Sequence, residues 1–425
     1  MTKFQIFNSK SGGRLIVRDM PPMETVSIGI WAGIGSRYET AESAGISHFL
    51  EHMLFKGTRK RNALGITREV EGVGGYLNAF TSEENTCYYA RVASTQFARV
   101  ADVLCDMYQD SALDPSEIER ERGVILEELA MVQDQPSQKV QENFNSLLWP
   151  NHPLGSPIAG TVKTVSGFSR RQLLSHYRSN YCRSNTVVSI AGKIDRDMIE
   201  SITQPFFSCL PSGKKGRCRP WKTVKRRAPV FHYETRDVEQ INAVLGFQGL
   251  SRRHPLRYAA KILNIILGEN MSSRLFQVIR EKHGLAYSIG SSQSLFSDTG
   301  AFTIFAGLPP EKYENALMLI CRELQRVCDR TVTARELAEA KDYAIGMMTM
   351  SLESTTDQMI WGAESCLAYG RVLEADEIRT ALKSVTTQQV METARLLFRR
   401  ENAALAVVGP EMRKKPFAGN IIPLN

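Results

Sequence analysis

Between Gly45 and Phe55 the chain reads Gly-Ile-Ser-His-Phe-Leu-Glu-His-Met-Leu-Phe, with no proline and one glycine at its start. It meets Gly57 just past its end, where a helix stop is expected. Residues four apart share a helical face, so His48 and His52 stack one turn apart and Glu51 flanks them. Ile46, Phe49, Leu50, Met53 and Leu54 cover the remaining circumference. A helix that is apolar nearly all round is buried. Two histidines and a glutamate on its only polar stripe therefore need partners inside the fold, which constrains this chain more than any other stretch.

Two readings compete. In one, these are core histidines satisfied by hydrogen bonds, with Glu51 paired to an arginine. In the other they hold a metal, because H-x-x-E-H is the inverted zinc-peptidase signature. Catalytic zinc takes three protein ligands and keeps a further position for water, so a third ligand is required. Asp114-Pro115-Ser116-Glu117 supplies a helix start, with Asp as N-cap, Pro in the first turn and Glu three after the cap. In that helix Ile118, Ile125, Leu129 and Val132 form one apolar stripe. Glu121 and Glu128 fall inside or beside it, and Glu127 points away to solvent. Carboxylates on a buried edge need a positive partner, and zinc on two neutral imidazoles supplies one. Glu128 is the expected third ligand to a single Zn2+ per chain. Glu121, two turns earlier, is expected to support the catalytic site; a salt bridge to an arginine is its alternative.

His48-x-x-Glu51-His52 with Glu121 and Glu128 on a later helix resembles the pitrilysin family of zinc peptidases. The family includes insulin-degrading enzyme, the mitochondrial processing peptidases and many bacterial peptidases. The short bacterial members and the beta subunit of the mitochondrial processing peptidase are nearest. The resemblance implies an α+β fold of two related domains, each an antiparallel-rich sheet packed with helices, arranged as a clamshell. It implies a zinc endopeptidase acting on peptides or unfolded segments, with Glu51 as general base.

The stretch Tyr76 to Tyr89 is similar to the family's substrate-binding edge strand and the strand paired to it. Asn78 and Ala79 match the positions that hold the substrate backbone; read from its residues alone, this stretch is a plain hairpin. Met271 to Ser288 resembles the family's C-terminal signature, and Arg280 and Tyr287 match a pair directed at the substrate. Spacing alone favours a surface arginine and a core tyrosine there. The preceding Leu267-Gly268-Glu269-Asn270 departs from the family's glycine-richer turn. The resemblance further implies a homodimer in which Arg280 and Tyr287 serve the other copy's site. The alternative function is a non-catalytic or partner-dependent subunit of a complex like the processing peptidase or the related core proteins.

A chain of 425 residues suits two domains. The expected division is a zinc-binding domain over 1–212, a basic linker over 213–228 and a related domain without a metal motif over 229–425. The second half repeats the order of elements in the first, ending in Ala404 to Gly409 as the first ends in Asn185 to Gly192. The net charge of +8 equals the eight basic residues Lys214, Lys215, Arg217, Arg219, Lys222, Lys225, Arg226 and Arg227. The excess is thus one segment, read as an exposed linker rather than a nucleic-acid arm, since Trp221 is its only aromatic residue. No run approaches the roughly eighteen apolar residues of a membrane span, so no membrane partner is expected. The eight cysteines are scattered without a C-x-x-C pair, as in a reducing compartment. With no signal-peptide core at Met1 to Phe7, the default location is cytoplasmic, or the mitochondrial matrix if a presequence was removed. His152, in a Pro/Gly-rich loop, reads as loop-fixing, and His176 as surface or packing.

Overall fold

The computed structural model describes residues 3–9, 12–214, 216–224 and 226–412. Lys10 and Ser11 of the first turn, and Lys215 and Lys225 of the basic segment, lie outside the described residues. The chain forms an α+β fold with two compact units.

The first unit comprises 1–130, 156–219 and 349–375. Its strands are β1 (Gln5–Asn8), β2 (Arg14–Asp19), β3 (Thr25–Ala32), β4 (Tyr76–Thr81), β5 (Thr86–Ala93) and β6 (Thr186–Gly192), joined in the order β1-β2-β6-β3-β5-β4. All neighbours are antiparallel except β2 and β6. Period-two alternation sorts the side chains onto two faces. Leu15, Val17, Val26, Ile28, Ile30, Tyr88 and Ala90 join Phe49, Leu50, Val100 and Leu104 in one core. Ile16, Trp31, Cys87 and Val187 pack on the other face against Met359, Ala363 and Cys366 of the helix Thr355–Tyr369. Gly362 lets that helix approach closely, since a Cβ there would stand 2.8 Å from the Phe4 ring and 3.1 Å from Ile16. Every residue of β6 is buried, Thr186 and Ser189 included, as in the middle of a sheet covered on both faces. β4 is a sheet edge, partly exposed along its length.

The second unit comprises 131–155, 220–348 and 376–425. Its strands β7 (Val230–Thr235), β8 (Ile241–Gly249), β9 (Ser288–Leu295), β10 (Gly300–Leu308) and β11 (Ala403–Gly409) are ordered β7-β11-β8-β10-β9. This is the order β2-β6-β3-β5-β4 repeated, down to the single parallel pair, here β7 with β11. One face is covered by a large core including Ile262, Leu263, Leu317 and Leu324. The other receives Val140, Phe144 and Leu148 of the helix Pro136–Leu148. Gly246 makes room for the Phe144 ring, which a Cβ would meet at 2.5 Å.

The expected division follows sequence order, whereas the compact units exchange segments. The helix Pro136–Leu148 covers the second sheet, and the helix Thr355–Tyr369 covers the first. The basic segment is tied to the unit at each of its ends. Ser184 Oγ donates to the Gly213 carbonyl and Arg37 to that of Arg219, while Trp221 N donates to Asp298 and Arg226 to the Leu147 carbonyl.

Candidate metal centre and active site

The helix Ile46–Leu54 is fixed in rotation by its apolar residues: Ile46, Phe49, Leu50, Met53 and Leu54 are buried in the first core. Its start is left-handed at Gly45 (φ 94°), where a Cβ would stand 2.5 Å from the Ala159 carbonyl oxygen, so glycine is required. With those residues inward, His48 and His52 share the remaining stripe, their ring centroids 4.7 Å apart. The helix Pro115–Asp134 is capped by Asp114, which accepts from Ser116 N at 2.8 Å. It buries Ile118, Ile125 and Leu129 together with Glu121, leaves Glu127 exposed, and turns Glu128 towards the histidines.

Glu128 Oε2 lies 3.7 Å from His48 Nε2 and 3.7 Å from His52 Nε2. One ligand atom from each of the three residues falls within 4.8 Å of the other two. Atoms about 2.1 Å from one centre at a tetrahedral angle stand about 3.4 Å apart, so both distances from Glu128 are close to what a shared zinc ion needs. Its chemistry fits as well. His52 Nδ1 is 3.1 Å from Glu121 Oε2, which places the ring proton on Nδ1 and leaves Nε2 as a lone-pair donor. Burial, then the neighbouring His52, pushes His48 down to about 4, so it is neutral at pH 7. Two imidazole nitrogens and a carboxylate oxygen facing one another at these distances form a donor set that suits a cation.

Glu51 stands beside this triangle. Its Oε2 accepts from Thr81 Oγ1 at 2.5 Å. Burial raises its carboxyl, while the Thr81 hydrogen bond and His52 pull it down and Glu128 pushes it up. A carboxylate raised in this way is a better proton acceptor than a solvated one. Thr81 ends β4, so the same hydrogen bond places the sheet edge next to the catalytic candidate. On that edge Ala79 N donates to Asn78 Oδ1 at 2.8 Å, and Asn78 Nδ2 donates to Tyr76 Oη at 2.6 Å.

The structure brings His48, His52 and Glu128 together with Glu121 and Glu51, while Asn78 and Ala79 lie on β4, whose last residue Thr81 bonds Glu51. Arg280 and Tyr287 belong to the second unit, where they meet each other: the guanidinium lies 5.6 Å from the Tyr287 ring centre and 5.0 Å from that of Phe276. Arg280 sits in a π-helical turn, Phe276–Lys282, and Tyr287 is 76% exposed, so it is not a core tyrosine. Among the other histidines, His152 Nδ1 accepts from Leu154 N at 3.2 Å within its own loop. Two participants escaped the sequence reading. Lys56 Nζ is 2.6 Å from Glu121 Oε1, giving Glu121 a cation besides His52. The signal for Lys56 was its place one turn after His52, and for Thr81 its place two after Ala79 on the same face of the strand.

The insulinase (peptidase family M16) model matches residues 14–162, and the peptidase M16 inactive-domain model matches residues 167–343. An uncharacterized zinc protease of Streptomyces coelicolor is 37% identical over 94% of this chain and 88% of its own length. The chain belongs to peptidase family M16. An uncharacterized zinc protease of Bacillus subtilis is 36% identical over 95% of this chain and 98% of its own. A protease from Helicobacter pylori shares the fold with a TM-score of 0.90, at 20% identity over 96% of this chain and 99% of that one. As an M16 chain with an intact His-His-Glu cluster, it is a metallopeptidase by family, and zinc is the metal its relatives' names give.

Proposed function

We propose that this chain is a self-sufficient zinc endopeptidase that cleaves peptides or unfolded segments. His48, His52 and Glu128 hold one zinc ion per chain. The observation that carries the reading is the convergence of His48 Nε2, His52 Nε2 and Glu128 Oε2 beside Glu51 and the open sheet edge β4. Zinc held there supplies Lewis acidity, which activates water near neutral pH and polarises a peptide carbonyl. Glu51 accepts the proton from the attacking water and delivers it to the leaving amine. Glu121 holds His52 in the tautomer that presents Nε2, and Lys56 neutralises the second oxygen of Glu121. An extended peptide adds to the edge of β4 at Asn78 and Ala79 through main-chain hydrogen bonds, with Asn78 Oδ1 releasing the Ala79 N–H to it.

The exposed pair Arg280 and Tyr287 donates to the carbonyl oxygen as negative charge develops on it. In this proposal the protein is a homodimer in which each copy's Arg280 and Tyr287 serve the other's zinc site. No helix among the described residues is long and apolar enough to cross a membrane. We place the enzyme in the cytoplasm.

A quenched-fluorescent peptide library tests the reading. The purified chain should cleave it, lose activity on chelation and regain it with one equivalent of zinc. Mixing Glu51→Gln with Arg280→Ala chains should restore activity that neither has alone. A folded, zinc-loaded chain that cleaves nothing would favour the partner-dependent subunit instead.

A further inference from the structure

Gly45 begins the histidine helix but has no side chain with which to cap it, and a buried residue from an earlier turn takes that place. Glu39 is 6% exposed. Its Oε2 accepts from Gly45 N at 2.7 Å and its Oε1 from Ser47 N at 2.9 Å. One carboxylate therefore satisfies two N–H groups at the helix start that have no partner within the helix. Ser47, the residue before His48, is 1% exposed, and its Oγ lies 3.4 Å from Nε2 of His176 on the helix Arg170–Asn180. The first turn of the histidine helix is thus gripped by Glu39 and touched by His176.

The turn that carries Glu39 is itself anchored. Ser36 N donates to the Ser82 carbonyl at 3.2 Å and Arg37 N to the Glu83 carbonyl at 2.8 Å. The fully buried Arg37 pairs with Glu84 at 2.7 Å. Ser82 directly follows β4. A short chain of hydrogen bonds therefore runs from the end of the sheet edge, through Ser36 and Arg37, to Glu39 and the start of the helix that carries His48.

We propose that Glu39 is a positioning residue for the metal centre, setting the histidine helix in register with β4. This rests on the zinc-peptidase reading for its consequence in catalysis, though not for the clamp itself. A carboxylate suits the position because each oxygen accepts one N–H. Glutamine would turn a donor towards one of them, and burial leaves that group no water to bond. A 1 Å misplacement of a catalytic group can cost about a hundredfold in rate, so a loosened first turn is felt at His48 and Glu51.

The test uses the full chain with Glu39→Gln, Glu39→Asp and, as a control for general destabilisation, Ile199→Val elsewhere in the same core. Amide exchange in the metal-free proteins reads the clamp directly: the Gly45 and Ser47 amides should lose protection in Glu39→Gln and keep it in Ile199→Val. Zinc competition against a chromophoric chelator should show affinity about tenfold weaker in Glu39→Gln, with Glu39→Asp recovering part of the loss. The cobalt-loaded Gln variant should have an altered visible spectrum, and its kcat should fall more than its KM rises. Unchanged amide protection in Glu39→Gln would overturn the clamp. Unchanged zinc affinity and cobalt spectrum, with protection lost, would overturn its role at the metal. Absence of zinc binding by the wild-type chain would instead refute the zinc reading, and the exchange data would still decide the clamp.

Discussion

Removing the carboxylate of Glu121 should weaken zinc binding by an amount that depends on what replaces it. Glu121 is 5% exposed and has two partners, His52 Nδ1 at 3.1 Å and Lys56 Nζ at 2.6 Å. Its effect on the metal runs through the His52 ring and through the charge of Lys56 that it balances. Losing such a partner costs roughly ten- to a hundredfold in metal affinity, or about 1.4 to 2.7 kcal/mol. Glu121→Gln keeps an oxygen for His52 Nδ1 but surrenders the charge, and should fall at the tenfold end. Glu121→Ala also frees the His52 ring to choose the other tautomer and leaves Lys56 without its anion beside the site. It should fall at the hundredfold end. Zinc competition by a fluorescent chelator, on variants shown to be folded by circular dichroism, measures both. Equal, wild-type affinity in the two variants would refute the reasoning, because the orientation of His52 would then owe nothing to Glu121.

Three further outcomes are expected. In Thr81→Val, Glu51 loses the hydrogen bond that lowers its carboxyl, so the acid limb of the kcat/KM profile should move to higher pH; an unmoved limb would detach Thr81 from the base. Burial holds His176 at about 4 against an ordinary 6.5. Its folded pKa is depressed, so the neutral ring's contribution is present above pH 6.5 and lost as pH falls through 4, about 3 kcal/mol in all. Urea titrations of wild-type and His176→Gln chains across that window should converge at low pH. Glu39 has the opposite sign. Burial lifts it to about 7 from 4.5 while the hydrogen bonds from Ser47 and Gly45 favour the charged form. The carboxylate that clamps both amides is thus kept at a desolvation cost, which is absent below pH 4.5, and stability falls as pH rises through 7. Glu39→Gln should flatten that part of the stability profile.

The metal cluster was legible because two simple rules applied to it. Helical spacing put His48 over His52, and the apolar stripe of Ile118, Ile125 and Leu129 showed which glutamates of the next long helix faced inward. The strands were legible in outline, above all the one that closes each half, read at Asn185 to Gly192 and Ala404 to Gly409. The segment exchange was not. The helices Pro136–Leu148 and Thr355–Tyr369 each have an apolar face, but nothing in that face says which sheet receives it; Phe144 fits over Gly246, and Gly362 over Ile16, through contacts more than a hundred residues away.

Glu39 was silent for a related reason. It lies in a turn, with no periodic pattern, and its value appears only when the N–H groups of Gly45 and Ser47 are placed above it. The π-helical turns Ile265–Glu269 and Phe276–Lys282 share the apolar content of ordinary helix, so spacing alone could not show that Arg280 and Tyr287 would meet.

The central claim is that the His48, His52 and Glu128 triangle holds a zinc ion on which Glu51 performs proton transfer. The most direct measurement is peptide hydrolysis by wild-type and Glu51→Gln chains at matched, measured zinc content. The account expects both proteins to carry one zinc per chain and the Gln variant to lose at least a hundredfold in kcat, at the lower end of what a positioned general base contributes (about 10²–10⁴). Comparable hydrolysis by the two zinc-loaded proteins would contradict it.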